Sequence, residues 1–224
     1  MVGKIGAITV GQAPRVDVMP DLEPILDGIE VIQRGALDGM TKEALKNIEP
    51  AEKDYILVTR LSDGSSVQIA EKYILPRIQE RINDLVNYEK VKGILMLCTG
   101  EFPSFDCPVP LLYPQVLLQY FTMAVLGNRT LGVLTPAYGQ IRQAGQRWHR
   151  NGAAKVLVNA ASPYESFDLV VDKAVALKNS GAQLLVMDCI GYTKAMKETI
   201  RTKTGIPVIL GRTVAAHAAA ELFG

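Results

Sequence analysis

Two stretches decide how this chain folds: Gly93–Gly100, which reads GILMLCTG, and Leu184–Gly191, which reads LLVMDCIG. Each is an apolar run closed by Cys-x-Gly, so Cys98 and Cys189 stand at the carboxyl ends of two strands buried on both faces. Outward from them the same features recur in the same order. KIGAIT (Lys4–Thr9) precedes the first cysteine run and TLGVLT (Thr130–Thr135) the second, each with a central Gly and a final Thr. A proline-led apolar run follows each, at Pro108–Leu111 and Pro207–Leu210. The repetition predicts an α/β fold of two pseudo-symmetric parallel-sheet lobes with helices on both faces. The first lobe is expected to span residues 1–127 and the second 128–212. A C-terminal helix, 213–224, should return to the first lobe, with the site in the cleft between the two.

Further strands are expected at Glu30–Gln33, Tyr55–Thr59, Val109–Leu112 and Lys155–Val158. Apolar residues at helical spacing predict helices over Val67–Val86 and Phe167–Asn179, the second ended by Asn179–Ser180–Gly181.

Charge and composition exclude several classes of function. Lysine and arginine number 24 against 23 acidic residues, which gives no bulk grip on nucleic acid or an anionic membrane. The longest uncharged stretch, Cys107–Asn128, carries Pro108, Pro110 and Pro114 and reads as a short strand plus a buried helix, not a membrane span. The N-terminal MVGKIGAITVG lacks the cleavage pattern of a signal peptide and reads as a first strand. Three cysteines give no disulfide framework, and a reducing cytoplasm is the expected location. His149 and His217 are not at metal-ligand spacing and no Cys-x-x-Cys occurs, so no metal is expected. No Gly-x-Ser-x-Gly elbow, phosphate loop or Gly-x-Gly-x-x-Gly turn is present.

In open parallel sheets ligands bind at the carboxyl ends of strands. Two thiols facing one cleft suit chemistry at a carbon centre. One thiolate removes a proton from one face, and the other thiol delivers a proton to the opposite face. Gly100 and Gly191 leave room for backbone N–H groups near a ligand, and IGYTKAMKETI after Cys189 reads as a helix start that would favour its thiolate. The competing reading of a strand-end cysteine is packing, and it holds for the unmatched Cys107. Three polar clusters offer further site residues. Gly11, Gln12 and Arg15 follow the first strand, and Thr135, Pro136 and Tyr138 its counterpart. Arg60 and Ser62 follow YILVT. Arg15 could hold a carboxylate bidentately, and Arg60 could assist. Each cluster is equally the composition of an ordinary turn.

The motifs also carry a resemblance. Gly11–Arg15 with Asp17 and Met19–Pro20, the polar loop after YILVTR, and MDCIGY (Met187–Tyr192) are similar to the AroM family over essentially the whole chain. The resemblance implies the fold of the aspartate/glutamate/hydantoin racemase superfamily, which includes racemases, maleate isomerase and arylmalonate decarboxylase and uses neither metal nor pyridoxal phosphate. By strand order its two active cysteines fall on Cys98 and Cys189, and its hydroxyl-rich carboxylate-binding turn on Thr135–Pro136. Thr99, Gly100, Gly191 and Tyr192 flank the cysteines and complete the expected site. Here Cys98–Thr99–Gly100 stands where the superfamily has Cys-Asn-Thr, and Asp188–Cys189–Ile190 where it has Gly-Cys-Thr, which points away from aspartate or glutamate as substrate. The resemblance implies a cofactor-independent, cysteine-dependent racemase, isomerase or decarboxylase acting next to the carboxylate of a small acid. The alternative is a non-catalytic carboxylate-binding or sensor protein. The expected partner is a small carboxylic acid, with no nucleic acid and no membrane; a homodimer is compatible with the sequence.

Overall fold

The computed structural model describes residues 3–224; Met1 and Val2, counted with the first lobe above, lie outside the described residues. The chain runs β1 (Gly3–Thr9), α1 (Met19–Leu22), β2 (Ile29–Gly35), α2 (Lys42–Lys46), β3 (Ile56–Arg60), β4 (Ser66–Ala70), α3 (Glu71–Asn87), β5 (Ile94–Leu97), β6 (Leu111–Leu112) and α4 (Pro114–Leu126). It continues through β7 (Leu131–Thr135), a 3-10 turn (Tyr138–Gln140), α5 (Ile141–Arg150), β8 (Val156–Ala160), α6 (Phe167–Asn179), β9 (Leu184–Met187), α7 (Lys194–Thr204), β10 (Val208–Leu210) and α8 (Gly211–Phe223).

Two four-stranded parallel sheets result, ordered β2-β1-β5-β6 and β10-β9-β7-β8. Reading the second as β8-β7-β9-β10 gives the same order, strand for strand. The glycine repeated in KIGAIT and TLGVLT has a packing cause. A Cβ on Gly6 would run into Leu85 of α3, and one on Gly132 into Leu185 and Ala182, with Leu177 of α6 in contact beyond them. In each lobe the central strand drops its side chain so that a helix can lie close to the sheet. Helix ends follow local chemistry: the Thr41, Ser166 and Thr193 hydroxyls accept from Ala44, Leu169 and Met196 N–H, and Gly205 closes α7 in the left-handed conformation.

Helix α3 covers one face of the first sheet, with Ile74, Ile78, Ile82 and Leu85 against Ile8, Ile94 and Met96. The opposite face is covered from the far end of the chain: Ala215, Ala216 and Ala219 of α8 pack with Ile5, Ala7, Leu95 and Leu97. The converse holds in the second lobe. Leu118 and Leu126 of α4 pack with Leu131, Val133, Leu184 and Val186, although residues 114–126 precede the boundary read from the sequence. Each sheet is thus closed by the helix that ends the other lobe.

One region departs from the predicted all-parallel reading. YILVT does not join the first sheet; β3 pairs antiparallel with β4, from Ile56 opposite Ala70 to Arg60 opposite Ser66. The helix expected from Val67 therefore starts at Glu71. The turn between the strands explains this. Gly64 takes a φ of 85°, and the Asp63 carboxylate accepts from Ser65 N–H and Oγ, so the chain reverses at once. Among the described residues no helix is long and apolar enough to cross a membrane.

Candidate functional site

The two cysteines occupy matched positions. Cys98 follows β5 directly, and Cys189 comes two residues after the end of β9. Each sulfur accepts a backbone N–H from the glycine two residues on, Gly100 at 3.3 Å and Gly191 at 3.4 Å. Both thiols are nearly buried and line one narrow cavity of about 20 Å³, room for a single water. The first lobe contributes Tyr55, Leu57, Val58, Thr99 and Gly100 to its walls, and the second Thr135, Pro136, Gln140, Arg147 and Asp188. Val58 and Pro136 also line a wider outer pocket of about 610 Å³.

Burial dominates the thiols' acidity. It pushes Cys98 up to about 12, against the Gly100 N–H, with the neighbouring Cys189 adding to the rise and Arg15 and Arg147 opposing it. Cys189 is raised by burial as well, against the Gly191 N–H and the charge of Arg15. Asp188, beside Cys189, does turn inward, but its charge is matched. Arg147 reaches Asp188 Oδ2, and Trp148 Nε1 donates to the same oxygen at 3.0 Å. Arg147 also donates to Tyr55 Oη at 2.9 Å and to the Thr99 carbonyl at 3.2 Å, tying both lobes to one guanidinium.

Arg15 is buried, yet its fork is already engaged. Nε and one terminal nitrogen take Asp17 bidentately at 2.8 Å, the other reaches Thr9 Oγ1, and Tyr164 Oη accepts at 3.1 Å. Burial alone would lower the pKa of Arg15; the Asp17 hydrogen bond and charge outweigh it and the net direction is up. In the structure Asp17 takes the bidentate face of Arg15 that the sequence reading offered to a ligand carboxylate. Arg60 lies outside the cavity lining and donates to the Gly64 carbonyl; its guanidinium and that of Arg15 flank the Tyr164 ring at 5.9 and 6.0 Å.

Thr99, Gly100, Thr135 and Pro136 line the cavity with the cysteines. Gly191 lies under Tyr164, whose hydroxyl a Cβ there would strike. Other expected residues stand elsewhere. Tyr138 is 68% exposed, because the 3-10 turn sends it outward beside Lys173 and turns Gln140 inward to Thr135 Oγ1. Ser62 sits at the tip of the β3–β4 hairpin and is bound to Gln12 Oε1. Gln12 also reaches the carbonyls of Leu37 and Met40, and Gly11 is where the first loop touches Thr59 and Arg60, so both serve the hairpin contact. Tyr192 is fully buried in the core and donates to the Ala161 carbonyl. The helix expected directly after Cys189 begins only at Lys194, capped by Thr193, so its terminus does not support the thiolate; the Gly191 N–H does. Arg212 is buried and donates to the carbonyls of Ile190 and Gly191, fixing the loop behind Cys189.

Sequence reading missed Arg147, Tyr55, Tyr164, Gln140 and Gln143. Arg147 carried a usable signal: it falls three residues after Ala144 on the buried face of α5, beside Trp148, where a charge requires a partner. Among the described residues no three His, Cys, Asp or Glu side chains gather as a metal site.

The family model described as AroM protein matches residues 5–223. No curated protein matches in sequence. Solved structures do resemble the fold. A liganded arylmalonate decarboxylase double mutant aligns at a TM-score of 0.68 and 12% identity, covering 99% of this chain and 92% of that one. The maleate isomerase from Pseudomonas putida gives 0.65 at 12%, covering 99% and 93%. The aspartate racemase from Picrophilus torridus gives 0.62 at 15%, covering 99% and 95%.

Proposed function

Because the chain belongs to the AroM family, on a fold it shares with racemases, an isomerase and a decarboxylase, we propose that it is a cysteine-dependent enzyme moving a proton at the carbon next to the carboxylate of a small acid. One observation carries this reading: two Cys-x-Gly turns at equivalent strand ends, each sulfur held by a glycine N–H, lining the same cavity. One thiolate takes the α-proton and the opposite thiol returns one to the other face, inverting the centre. A reaction needing a proton on one face only, decarboxylation or isomerisation, would use one of the pair. The ligand carboxylate is met by the Thr99–Gly100 and Thr135–Pro136 segments. The chemistry draws on no metal or pyridoxal phosphate, and the free thiols suit a reducing cytoplasm.

Small acids incubated in deuterium oxide and followed by proton NMR test the proposal. The parent protein should exchange the α-hydrogen of its substrate, and Cys98→Ala and Cys189→Ala should each abolish inversion. Loss in only one variant assigns decarboxylation or isomerisation. Exchange untouched by either substitution sinks the cysteine mechanism. One observation favours the alternative of a carboxylate-binding protein without catalysis: burial pushes both thiols up, away from the thiolate. Binding of an acid without exchange, unaffected by either cysteine change, selects it.

A further inference from the structure

Asp188 leaves one feature unused. Its Oδ2 is saturated by Arg147 and Trp148, while Oδ1 is buried with no hydrogen-bond partner in the protein. Among the described residues it is the one carboxylate oxygen so placed. Its side chain is 1% exposed and lines the cavity that holds both thiols. A buried carboxylate oxygen without a donor is costly, and native proteins rarely keep one without a use. Neither sulfur serves it: each lies against its own glycine N–H, and both thiols are weak donors. The other terminal nitrogen of Arg147 is already committed to Tyr55 Oη and the Thr99 carbonyl.

We propose that Asp188 Oδ1 accepts a hydrogen bond from the ligand, so that the substrate is an acid carrying an N–H or O–H donor next to its carboxylate: a hydroxy, amino or acylamino acid. This deepens the proton-transfer reading and rests on it for the word substrate, though not for binding. Position supports it. Asp188 and Cys189 line the same cavity, so a donor held at Oδ1 stands beside that sulfur. The neighbouring ion pair sets the chemistry. With Arg147 and Trp148 both donating to Oδ2, the carboxylate cannot rotate to present anything but an acceptor at Oδ1.

The same constraint supplies the test. In Asp188→Asn, the two donors hold the amide oxygen at the Oδ2 position and force its NH2 into the place of Oδ1, so an acceptor becomes a donor with little change of shape. The panel is lactate, alanine and N-acetylalanine as donors against isobutyrate and pyruvate as matched acids without one, measured by calorimetry. The parent should bind the best donor-bearing acid roughly tenfold or more tighter than isobutyrate, the scale of a hydrogen bond to a charged group. Asp188→Asn should reverse the ranking toward pyruvate; because every member carries the carboxylate, the unpaired charge left on Arg147 cancels from the ranking. Should the variant not fold, the parent's own ranking decides. An equal response across the panel, or none, overturns the inference and leaves a water to answer Oδ1. The two proposals fail separately. Exchange in deuterium oxide with no donor preference sinks the role of Asp188 alone. A donor preference that depends on Asp188, without exchange, keeps that role and sinks catalysis.

Discussion

At the scale of single residues, the site sets burial against charge. Burial favours the neutral form of both thiols, and the glycine N–H groups and Arg15 offset it only in part. The direction fixes a pH dependence. With Cys98 at about 12, its thiolate fraction rises tenfold per pH unit throughout the range below. Alkylation of Cys98, followed by mass spectrometry, should therefore climb without a plateau from pH 7 to pH 9; levelling off in that range contradicts the burial argument. Stability has a matching sign. The folded chain keeps a proton that the unfolded chain gives up near the ordinary thiol value, so this residue's contribution is intact below that value and is lost as pH rises toward 12. The cysteines were legible because a matched pair at strand ends is visible in one sequence. Tyr164 was not, since it reads as a loop residue, and the signal of Arg147, a charge on a buried helix face, did not name its partner. Only the fold brings Arg147 to Asp188, and Tyr164 to Arg15.

At the scale of elements, the β3–β4 hairpin forms one wall of the cavity through Leu57 and Val58. It belongs to neither parallel sheet. The second lobe holds it through two glutamines. Gln143 accepts from Ile56 N–H at 3.1 Å and donates to the Ile56 carbonyl at 2.9 Å, standing in for a neighbouring strand, and Gln140 donates to the same carbonyl at 2.9 Å. A cavity of about 20 Å³ cannot admit a carboxylic acid with the hairpin so clasped. Gln143→Leu should speed hydrogen exchange at Ile56 and its β4 partners and raise alkylation of both thiols several-fold, as exchange mass spectrometry and thiol trapping would show. Unchanged rates would mean that the ligand enters elsewhere. The hairpin also marks where sequence reading stopped. YILVT has the composition of a buried parallel strand, and Ile69, Ile74, Ile78 and Ile82 keep helical spacing across a point where the backbone is still extended. Periodicity reports which side chains are buried; here a turn residue, Gly64, decided the backbone.

At the scale of the whole molecule, the repeat of strand order was readable in outline from KIGAIT, TLGVLT and the two Cys-x-Gly runs. The crossing of α4 and α8 was read only in half: the return of α8 to the first lobe was expected, whereas the uncharged α4 shows only that it is buried, not against which sheet. That crossing has a consequence for the chain's connectivity. Residues 127–130 carry the end of α4 into β7, and the pseudo-twofold counterpart of that link would carry the end of α8 into β1. Where that counterpart would run, Gly3 lies against the Phe223 carbonyl. Among the described residues, the two lobes and their crossed helices thus close on themselves where Gly3 meets Phe223. A circular permutant opened at residues 127–130, with the original ends joined by a short Gly-Ser linker, should express as a folded protein and melt within a few degrees of the parent. Failure of that permutant to fold would show that the order of synthesis, and not the closed arrangement of helices, guides assembly. Success would make the two halves interchangeable starting points, as expected of a dimer of exchanged halves drawn into a single chain.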